Sequence, residues 1–316
     1  MTAPIAVSGW VPGILVRAMA EIWLVTGGTG QVGLALRRNP PAGVVIFAPG
    51  RDLLDLAQSQ PLEPLLEGVT AIINCGAYTA VDKAESEPEL AAAINAGAPF
   101  DLATAAAKAG IPIIHVSTDY VFPADGSGPW SEDAKTSPAS TYGATKRAGE
   151  EAIRSTGARH AIVRTAWVVS ADGNNFVKTM LRLGAERDAL NVVADQIGTP
   201  THASDLAAAL ATITAHFTSN PDQSSGIWHC ANTGETSWHG LATHVFAEAA
   251  RHDLRSPTVV NAITTAEYPT PARRPADSRL DCSRIEQDFG IRLRPWQDAV
   301  SEIVAALAAQ QQEHIA

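Results

Sequence analysis

Residues Glu21 to Gly33 read EIWLVTGGTGQVG and contain the strongest indication of the fold. Its first part, residues 22–25, is a short apolar run with the length and bulk of a strand buried on both faces. The chain then turns through a glycine-rich segment and begins a helix at residues 31–33. A strand, a glycine turn and a helix in this order indicate a unit that binds a dinucleotide.

The glycines of this turn follow the spacing G-x-x-G-x-x-G. A pyrophosphate must approach the backbone without a Cβ in the way, and the helix must pack closely on the strand. The helix N-terminus then offers N–H groups and a partial positive charge to the phosphates. A glycine turn without a ligand is the alternative. We expect cofactor contacts from Gly27, Thr29, Gly30, Gln31, Val32 and Gly33.

Composition excludes several classes of function. The 316 residues are 46% hydrophobic and 18% charged, enough for a sizeable core, and the net charge of −10 argues against nucleic acid or an anionic membrane as partner. The three separated cysteines include no C-x-x-C pair, so we expect a cytoplasmic protein with no disulfide framework and no zinc site. Residues 1–20 lack a secretory pattern and are interpreted as an N-terminal extension.

Strand and helix patterns alternate over residues 22–165 and predict an α/β fold with a doubly wound, Rossmann-like parallel sheet. We expect residues 21–165 to form the dinucleotide-binding core, which about 195–250 complete. Residues 166–194 and 251–316 are expected to form mainly a smaller substrate-binding cap. Within the core, 88–109 predicts one alanine-rich helix, although it contains Asn95, a mediocre helix former.

Further cofactor contacts are expected where the second and third strands end. Arg51 follows the second strand, where it suits a 2′-phosphate, but the adjacent Asp52 suits a ribose hydroxyl, so the preference is divided. Asp55 and Leu56 are candidates to flank the adenine. The small residues after the third strand let a cofactor cross closely, or simply pack tightly; these are Cys75, Gly76 and Ala77.

Tyr142 and Lys146 are four residues apart and so share one face of a helix. A nearby ammonium lowers the pKa of a tyrosine and suits it to acid–base work, so we expect a lowered pKa for Tyr142. Thr118, at a strand end, supplies a hydroxyl that can polarise a carbonyl. A Tyr/Lys pair alone is usually solvated surface. In combination with Thr118 and the glycine turn, it predicts a catalytic site.

With these motifs, the chain resembles the extended short-chain dehydrogenases/reductases and, more narrowly, the dTDP-4-dehydrorhamnose reductase family. The narrower likeness covers about residues 21–305. It is carried by five segments: NCGAYTAVDKAE at 74–85, STDYVF at 117–122, GNNF at 173–176, DQIGTPT at 195–201 and RRP at 273–275.

The resemblance implies reduction of the C4 carbonyl of dTDP-4-dehydro-β-L-rhamnose to dTDP-L-rhamnose by NADPH, with NADH left open as a second donor. It implies that Thr118, Tyr142 and Lys146 are the catalytic trio and that Tyr142 and Lys146 also contact the cofactor. It further implies a set of substrate contacts: Val81, Thr118, Asp119, Trp167, Asn175, Gln196, Arg273 and Arg274. Alternative roles are a core aromatic for Trp167, caps for Asn175 and Gln196, and a solvated pair for the arginines.

Two other functions share the pattern. A non-catalytic regulatory subunit, like that of methionine adenosyltransferase, resembles the same reductases, but the intact trio of Thr118, Tyr142 and Lys146 disfavours it. A sugar-nucleotide epimerase or dehydratase has the same fold and trio, and fold alone does not separate these activities. Residues 81–83 and 273–275 favour the reductase.

One departure from the family concerns assembly. Some members form a Mg²⁺-bridged dimer through glutamates, one of them two residues past the last glycine of the turn, and here that position is Ala35. An alanine side chain cannot ligate a cation. We therefore expect no metal site and a monomer or a metal-independent homodimer.

Light scattering tests this expectation. The molar mass of the purified protein is expected to be the same with excess chelator and with millimolar Mg²⁺, because a site that has lost a carboxylate should not control association. A dimer that forms only with the metal would show that other residues replace the missing glutamate.

Overall fold

The computed structural model describes residues 20–315, so the predicted N-terminal extension lies, apart from Ala20, outside the described residues. Twelve strands lie within this range: β1 (Glu21–Thr26), β2 (Val44–Phe47), β3 (Ala71–Asn74), β4 (Ile113–Thr118), β5 (His160–Thr165), β6 (Val168–Val169), β7 (Ala189–Val193), β8 (Ile197–Gly198), β9 (Thr201–His202), β10 (Gly226–His229), β11 (Thr236–Ser237) and β12 (Val259–Ile263).

Ten α-helices accompany them over the same described range: α1 (Gln31–Arg38), α2 (Val81–Ala84), α3 (Pro88–Ala92), α4 (Ala98–Ala109), α5 (Thr141–Ser155), α6 (Phe176–Glu186), α7 (Ala203–Ser219), α8 (Trp238–Arg251), α9 (Ser283–Phe289) and α10 (Trp296–Ile315). Within residues 20–315, no helix combines the length and the apolar character needed to cross a membrane. The three cysteines form no disulfide.

The central sheet has six parallel strands in the order β10-β5-β4-β3-β1-β2. The predicted doubly wound parallel sheet is therefore confirmed. From β1 the chain first adds β2 on one side and then returns to add β3 on the other side. A crevice opens where the winding direction changes in this way, at the carboxyl ends of the strands. The order of the strands thus places a binding site beside the glycine turn.

The first strand is buried on both faces, as its apolar run predicts. Trp23 and Val25 belong to a core cluster with α1 and α7, whereas Leu24, which points to the opposite face, clusters with α4. All three side chains have no exposed surface. Since side chains alternate along a strand, a continuous apolar run is needed where helices cover both faces.

A second core lies away from the sheet. It is built by α6, α8 and α10 together with strand β7, which pairs in parallel with β12. Helix α8 falls in the segment that was expected to complete the sheet, but it packs with α6 and α10 instead. The apolar stripe of α8 explains this placement, because Leu241, Val245 and Phe246 are buried in the second cluster.

The predicted single helix over 88–109 is wrong in one detail. The structure has α3, then a π-helical turn over Ala93–Gly97, and then α4. Asn95 lies in the turn and is buried, with its amide bonded to the backbone of Tyr78 and to Thr145 of α5. These tertiary hydrogen bonds make the π-bulge the favoured backbone, a feature often found beside functional sites.

The contact between this turn and α5 generates a prediction. A Cβ at Gly149 would lie 2.1 Å from the Asn95 carbonyl oxygen, whereas a Cβ at Gly97 would have its nearest neighbour at 4.0 Å. Gly149→Ala is therefore expected to lower the free energy of unfolding by about 1–3 kcal/mol through overpacking.

The matched control, Gly97→Ala, is expected to leave stability unchanged or to raise it by up to about 1 kcal/mol, since alanine is the better helix former. Urea denaturation of both variants measures the difference. Equal midpoints for the two variants would contradict the close packing of α5 on the π turn.

Candidate active site

A cleft of about 1000 Å³ opens at the carboxyl ends of the central strands, beside the glycine turn. Most residues predicted from the sequence line it. They are Gly27, Thr29, Gly30, Gln31, Val32, Gly33, Arg51, Asp55, Leu56, Cys75, Gly76, Ala77, Val81, Thr118, Asp119, Tyr142, Lys146, Trp167 and Asn175. Three predicted residues do not line it: Gln196, Arg273 and Arg274.

The glycine turn is built for close approach. Gly27 has a φ of +66°, and a Cβ there would lie 2.7 Å from the backbone nitrogen of Gly76. A Cβ at Gly33 would lie 2.3 Å from the Gly27 carbonyl oxygen, so α1 can pack on the turn only with glycine there. Gly30 caps α1 without any side-chain hydrogen bond. The first N–H groups of the helix are thus not capped by a side chain, which suits a phosphate.

The wall of the cleft that follows the second strand distinguishes the two candidates for cofactor choice. Arg51 lines the cleft, and the adjacent Asp52 does not. At the third strand, a Cβ on Gly76 would lie 2.3 Å from Leu56 Cδ1. A side chain at this position would have to displace the terminal methyl of Leu56, so the site is closely packed, and both alternatives for these small residues remain open. Burial raises the pKa of the Cys75 thiol to about 12, so it is not a reactive thiolate.

The trio of Thr118, Tyr142 and Lys146 meets at one place. Thr118 ends β4, and the other two residues lie in the first two turns of α5. The Ser140 hydroxyl caps this helix by accepting a hydrogen bond from the Gly143 N–H. A Cβ at Gly143 would lie 2.3 Å from the Tyr120 carbonyl oxygen, so this glycine lets α5 approach the end of β4.

The expected lowering of the Tyr142 pKa is wrong. Burial raises it to about 12, and contact with the Thr118 hydroxyl opposes the shift only in part. The hydrogen-bond partners of Lys146 lie on β4: its Nζ donates to the Val116 carbonyl at 2.7 Å and lies 3.2 Å from His115 Nε2. Burial lowers the pKa of Lys146 to about 8, against the opposing charge of Glu150. Tyr142 is therefore a neutral, proton-bearing phenol at pH 7.

Two stacked tryptophans border the opposite side of the cleft. The rings of Trp167 and Trp238 lie 3.5 Å apart with an interplanar angle of 10°. Trp167 has a φ of 48°, a strained backbone conformation for a bulky residue. Gln196 accepts a hydrogen bond from Trp238 Nε1 at 3.1 Å and donates to Thr265, so it lies behind this pair. Sequence reasoning missed Trp238, which carries no motif and reaches the cleft only through the packing of α8.

The predicted contacts Gln31 and Asn175 are linked to each other. Asn175 Nδ2 donates to Gln31 Oε1 at 3.1 Å, and the Ser170 hydroxyl donates to the same oxygen at 2.8 Å. Asn175 also caps α6 by accepting from the Lys178 N–H. The capping alternative for Asn175 is therefore correct, and its side chain joins α1 to the segment that precedes α6.

The two predicted arginines are engaged in ion pairs. Arg274 contacts both carboxylate oxygens of Asp82, at 2.7 and 3.1 Å, in a bidentate geometry. Arg273 is 63% exposed and lies 3.6 Å from Asp125. Arg274 thus holds the segment next to Val81 in place. Arg273 is largely solvated, which agrees with the alternative role of a solvated side chain.

A comparison with known proteins agrees with this geometry. A family model described as the RmlD substrate binding domain matches residues 21–309. The chain is 45% identical to a dTDP-4-dehydrorhamnose reductase of Sinorhizobium fredii (90% of this chain, 96% of the relative). It is 42% identical to one of Escherichia coli K12 (90% and 97%). The chain belongs to the dTDP-4-dehydrorhamnose reductase family.

A solved structure extends the likeness to three dimensions. The dTDP-4-dehydrorhamnose reductase of Bacillus anthracis, crystallised in complex with NADP, superposes with a TM-score of 0.83 at 33% identity and covers 91% of this chain and 100% of its own. The match spans the sheet and the second core together. The predicted family resemblance is confirmed.

Within this reductase family fold, Asp119 is an unusual carboxylate. It is 3% exposed, accepts a hydrogen bond from the Thr118 hydroxyl at 2.9 Å, and its Oδ2 has no partner among the described residues. Burial raises the pKa of Asp119 to about 6, although contacts with the hydroxyls of Ser278 and Thr118 oppose the shift. The site therefore holds a charge at neutral pH that the fold does not fully compensate.

The raised pKa makes stability depend on pH. Because the folded state binds more protons than the unfolded state between pH 4 and 6, the free energy of unfolding is expected to fall as pH rises through this window. The loss is up to about 3 kcal/mol. Asp119→Asn is expected to lack this component, so the stability of the wild type relative to the variant should fall from pH 4 to pH 7. Urea denaturation at several pH values measures it.

The exposed Asp222→Asn serves as a matched control, with a stability profile parallel to that of the wild type. Parallel profiles for wild type and Asp119→Asn would contradict the raised pKa of Asp119.

Proposed function

We propose that this protein is an NADPH-dependent reductase that converts dTDP-4-dehydro-β-L-rhamnose to dTDP-L-rhamnose, the last step in dTDP-rhamnose biosynthesis. The observation that carries the proposal is the meeting of the glycine turn with Thr118, Tyr142 and Lys146 at one cleft. The chain is also 40–45% identical to eight dTDP-4-dehydrorhamnose reductases, and each match covers about nine-tenths of the chain.

The dinucleotide fits the residues at the turn. The space that Cβ atoms would occupy at Gly27 and Gly33 is needed for close backbone approach, and the α1 N-terminus suits the pyrophosphate. Arg51 on the cleft wall suits a 2′-phosphate, which favours NADPH over NADH. When bound, the nicotinamide supplies a hydride. A bound NADP in the Bacillus anthracis relative supports this assignment.

Tyr142 is the proposed general acid. With a pKa of about 12 it carries its proton at neutral pH, the state from which it can protonate the C4 oxygen as the carbonyl is reduced. The Thr118 hydroxyl, held between Asp119 and the Tyr120 N–H, is placed to orient the same oxygen. Lys146 is proposed to contact the nicotinamide ribose from the next turn of α5.

The sugar nucleotide is proposed to lie between the trio and the cap. Trp167, stacked on Trp238, offers a flat apolar surface to one face of the sugar. Asp119, Val81 and Asn175 line the same cleft. Gln196 is proposed to act by positioning Trp238, and Arg274 by fixing the chain next to Val81. The exposed Arg273 remains a candidate for the diphosphate.

The other two functions are not favoured. The relatives at 40–45% identity are reductases by name, and the catalytic trio is intact and converges on one cleft. A structure of a dTDP-glucose 4,6-dehydratase from Streptomyces venezuelae matches at 21% identity, which reflects the fold alone.

Assembly and location remain proposals. Ala35 is 8% exposed and belongs to the core cluster beneath α1, so position 35 does not offer a surface ligand to Mg²⁺. We propose a monomer or a metal-independent homodimer. A cytoplasmic location fits the unpaired state of all three cysteines.

A cofactor-oxidation assay tests the proposal, with the dTDP-4-dehydro-6-deoxy sugar supplied by the upstream dehydratase and epimerase. Tyr142→Phe removes the proton donor and is expected to lower turnover by roughly 10²–10⁴-fold while NADPH affinity changes little. Near-normal turnover in the purified, folded variant would refute the assignment of Tyr142.

Arg51→Ala provides the matched control in the same assay. It is expected to keep turnover but to lose affinity for NADPH more than for NADH, because only NADPH carries the 2′-phosphate. An equal loss for both cofactors would mean that Arg51 does not contact this phosphate. No oxidation of either cofactor by the wild type would refute the proposed reaction.

A further inference from the structure

Gln31 has two polar groups that serve different parts of the cleft, its backbone N–H and its side-chain amide. As the first residue of α1, it has a backbone N–H without an intrahelical acceptor, beside the glycine turn. Its side chain contacts residues 168–175, the segment between Trp167 and α6. The sequence predicts a cofactor contact from Gln31 without distinguishing these two groups, and the structure separates them.

A backbone group fixes the orientation of the amides involved. The Lys178 N–H, which can only donate, points to Asn175 Oδ1 at 3.2 Å. The NH₂ group of Asn175 therefore faces Gln31, and the Gln31 atom 3.1 Å away must be the acceptor Oε1. Gln31 Nε2 then faces the Val168 carbonyl oxygen at 3.4 Å, and this oxygen can only accept. Both ends of the chain of contacts thus require the same orientation of the Gln31 amide.

The side chain of Gln31 is largely occupied by this segment. Its Oε1 accepts from Asn175 and also from the Ser170 hydroxyl at 2.8 Å, which uses both lone pairs of the oxygen. Its Nε2 donates one of two hydrogens to the Val168 carbonyl. The side chain is therefore engaged mainly with protein groups, whereas the backbone N–H is available to a phosphate at the helix N-terminus.

The segment that Gln31 holds forms one wall of the cleft. Trp167 precedes the segment and lines the cleft, and so do Gly173 and Asn174 within it. Trp167 has a φ of 48°, and a strained backbone persists only where its surroundings fix it. The Thr201 N–H donates to the Trp167 carbonyl at 3.1 Å, and Gln31 donates to the next carbonyl along the chain. Gln31 thus contributes to fixing the backbone that directs the Trp167 ring.

A second contact between α1 and the segment is weaker. Arg38 binds both carboxylate oxygens of Asp172, but its side chain is 60% exposed. Exposed ion pairs contribute little to stability, because water and salt screen them. Gly173, with a φ of +62°, brings the chain over Gln31, since a Cβ there would lie 3.3 Å from Gln31 Cγ. The part-buried amide of Gln31 is therefore the stronger polar connection between α1 and this wall.

We propose that Gln31 is a positioning residue that fixes residues 167–175 against the N-terminus of α1. Its backbone N–H is assigned to the pyrophosphate of the cofactor, and its side chain is assigned to the wall on which the sugar is proposed to lie. The inference rests on the proposed function only in assigning this wall to the sugar nucleotide. One residue then sets the spacing between the two binding sites, and hydride transfer requires the reacting groups to be held at a defined distance.

Hydrogen–deuterium exchange of the full chain, measured by mass spectrometry without ligands, tests the proposal independently of turnover. Gln31→Met keeps the length of the side chain and removes its hydrogen bonds. The variant is expected to fold, because Asn175 and Ser170 each keep another acceptor within the segment. Peptides that cover residues 168–175 are expected to exchange roughly 5- to 30-fold faster than in the wild type, the effect of one or two hydrogen bonds. Unchanged exchange would overturn the proposal.

The cofactor-oxidation assay distinguishes the two groups of Gln31. Gln31→Met is expected to raise the KM for the sugar nucleotide by a similar factor, because the wall that holds the sugar is less ordered. The Kd of NADPH is expected to change little, because the backbone N–H remains in the variant. Weaker NADPH binding with an unchanged KM for the sugar nucleotide would show that the side chain is a cofactor ligand, and the proposal would fail.

Ser170→Ala tests whether Gln31 acts through this segment. Residues that act through one hydrogen-bonded network are not additive, so Ser170→Ala is expected to speed exchange less in the Gln31→Met background than in the wild type. Full additivity would count against the proposal. The exposed Gln287→Met of α9 is the matched control, and neither its exchange nor its KM is expected to change. If the protein does not reduce the sugar nucleotide but the exchange is as expected, the proposed function fails and the positioning role of Gln31 stands.

Discussion

The close approach of three backbone segments at the glycine turn is the constraint on which the rest of this structure depends. A Cβ at Gly27 would lie 2.7 Å from the chain after β3, and a Cβ at Gly33 would lie 2.3 Å from Gly27 itself. Only glycine permits β1, α1 and the end of β3 to meet so closely. Because β1 pairs with both β2 and β3, this meeting point is also where the winding of the sheet changes direction and the cleft opens.

A buried ion pair links the central sheet to α5, the helix that contains Tyr142 and Lys146. Arg164 of β5 binds Glu150 of α5 in a bidentate manner, Ser117 of β4 donates to the same carboxylate at 2.6 Å, and the two charged side chains are at most 4% exposed. Such a pair offers little net stability, because desolvation offsets the attraction, but leaving one partner unpaired is costly. The pair therefore favours one register of α5 on the sheet, and that register places Tyr142 and Lys146 at the cleft.

The functional site departs from the most stable arrangement in several places. Trp167 has a left-handed backbone, Asp119 is a buried carboxylate with one oxygen unpartnered, and Lys146 is a buried amine. Each feature lowers stability locally and is held by packing elsewhere, as for the stacked Trp238 against Trp167. Strain and buried charge commonly gather at active sites for this reason.

Local periodicity and residues at fixed spacing were sufficient to predict the sheet, the glycine turn, the Tyr/Lys helix and the family. They also placed Thr118 at a strand end. The charge states of these groups depend on the packed fold and could not be predicted from spacing. The Tyr142 pKa is raised and not lowered, because packing around the site buries the phenol. Lys146 has its partners, His115 and the Val116 carbonyl, on a neighbouring strand.

The same reason applies to three further contacts. The π turn at Asn95, the pairing of Arg274 with Asp82, and the place of Gln196 behind Trp238 all join residues from distant parts of the chain. No spacing within the sequence encodes these contacts. Burial and hydrogen bonding between segments far apart in sequence are properties of the packed fold, and they decide which of the predicted residues reach the cleft.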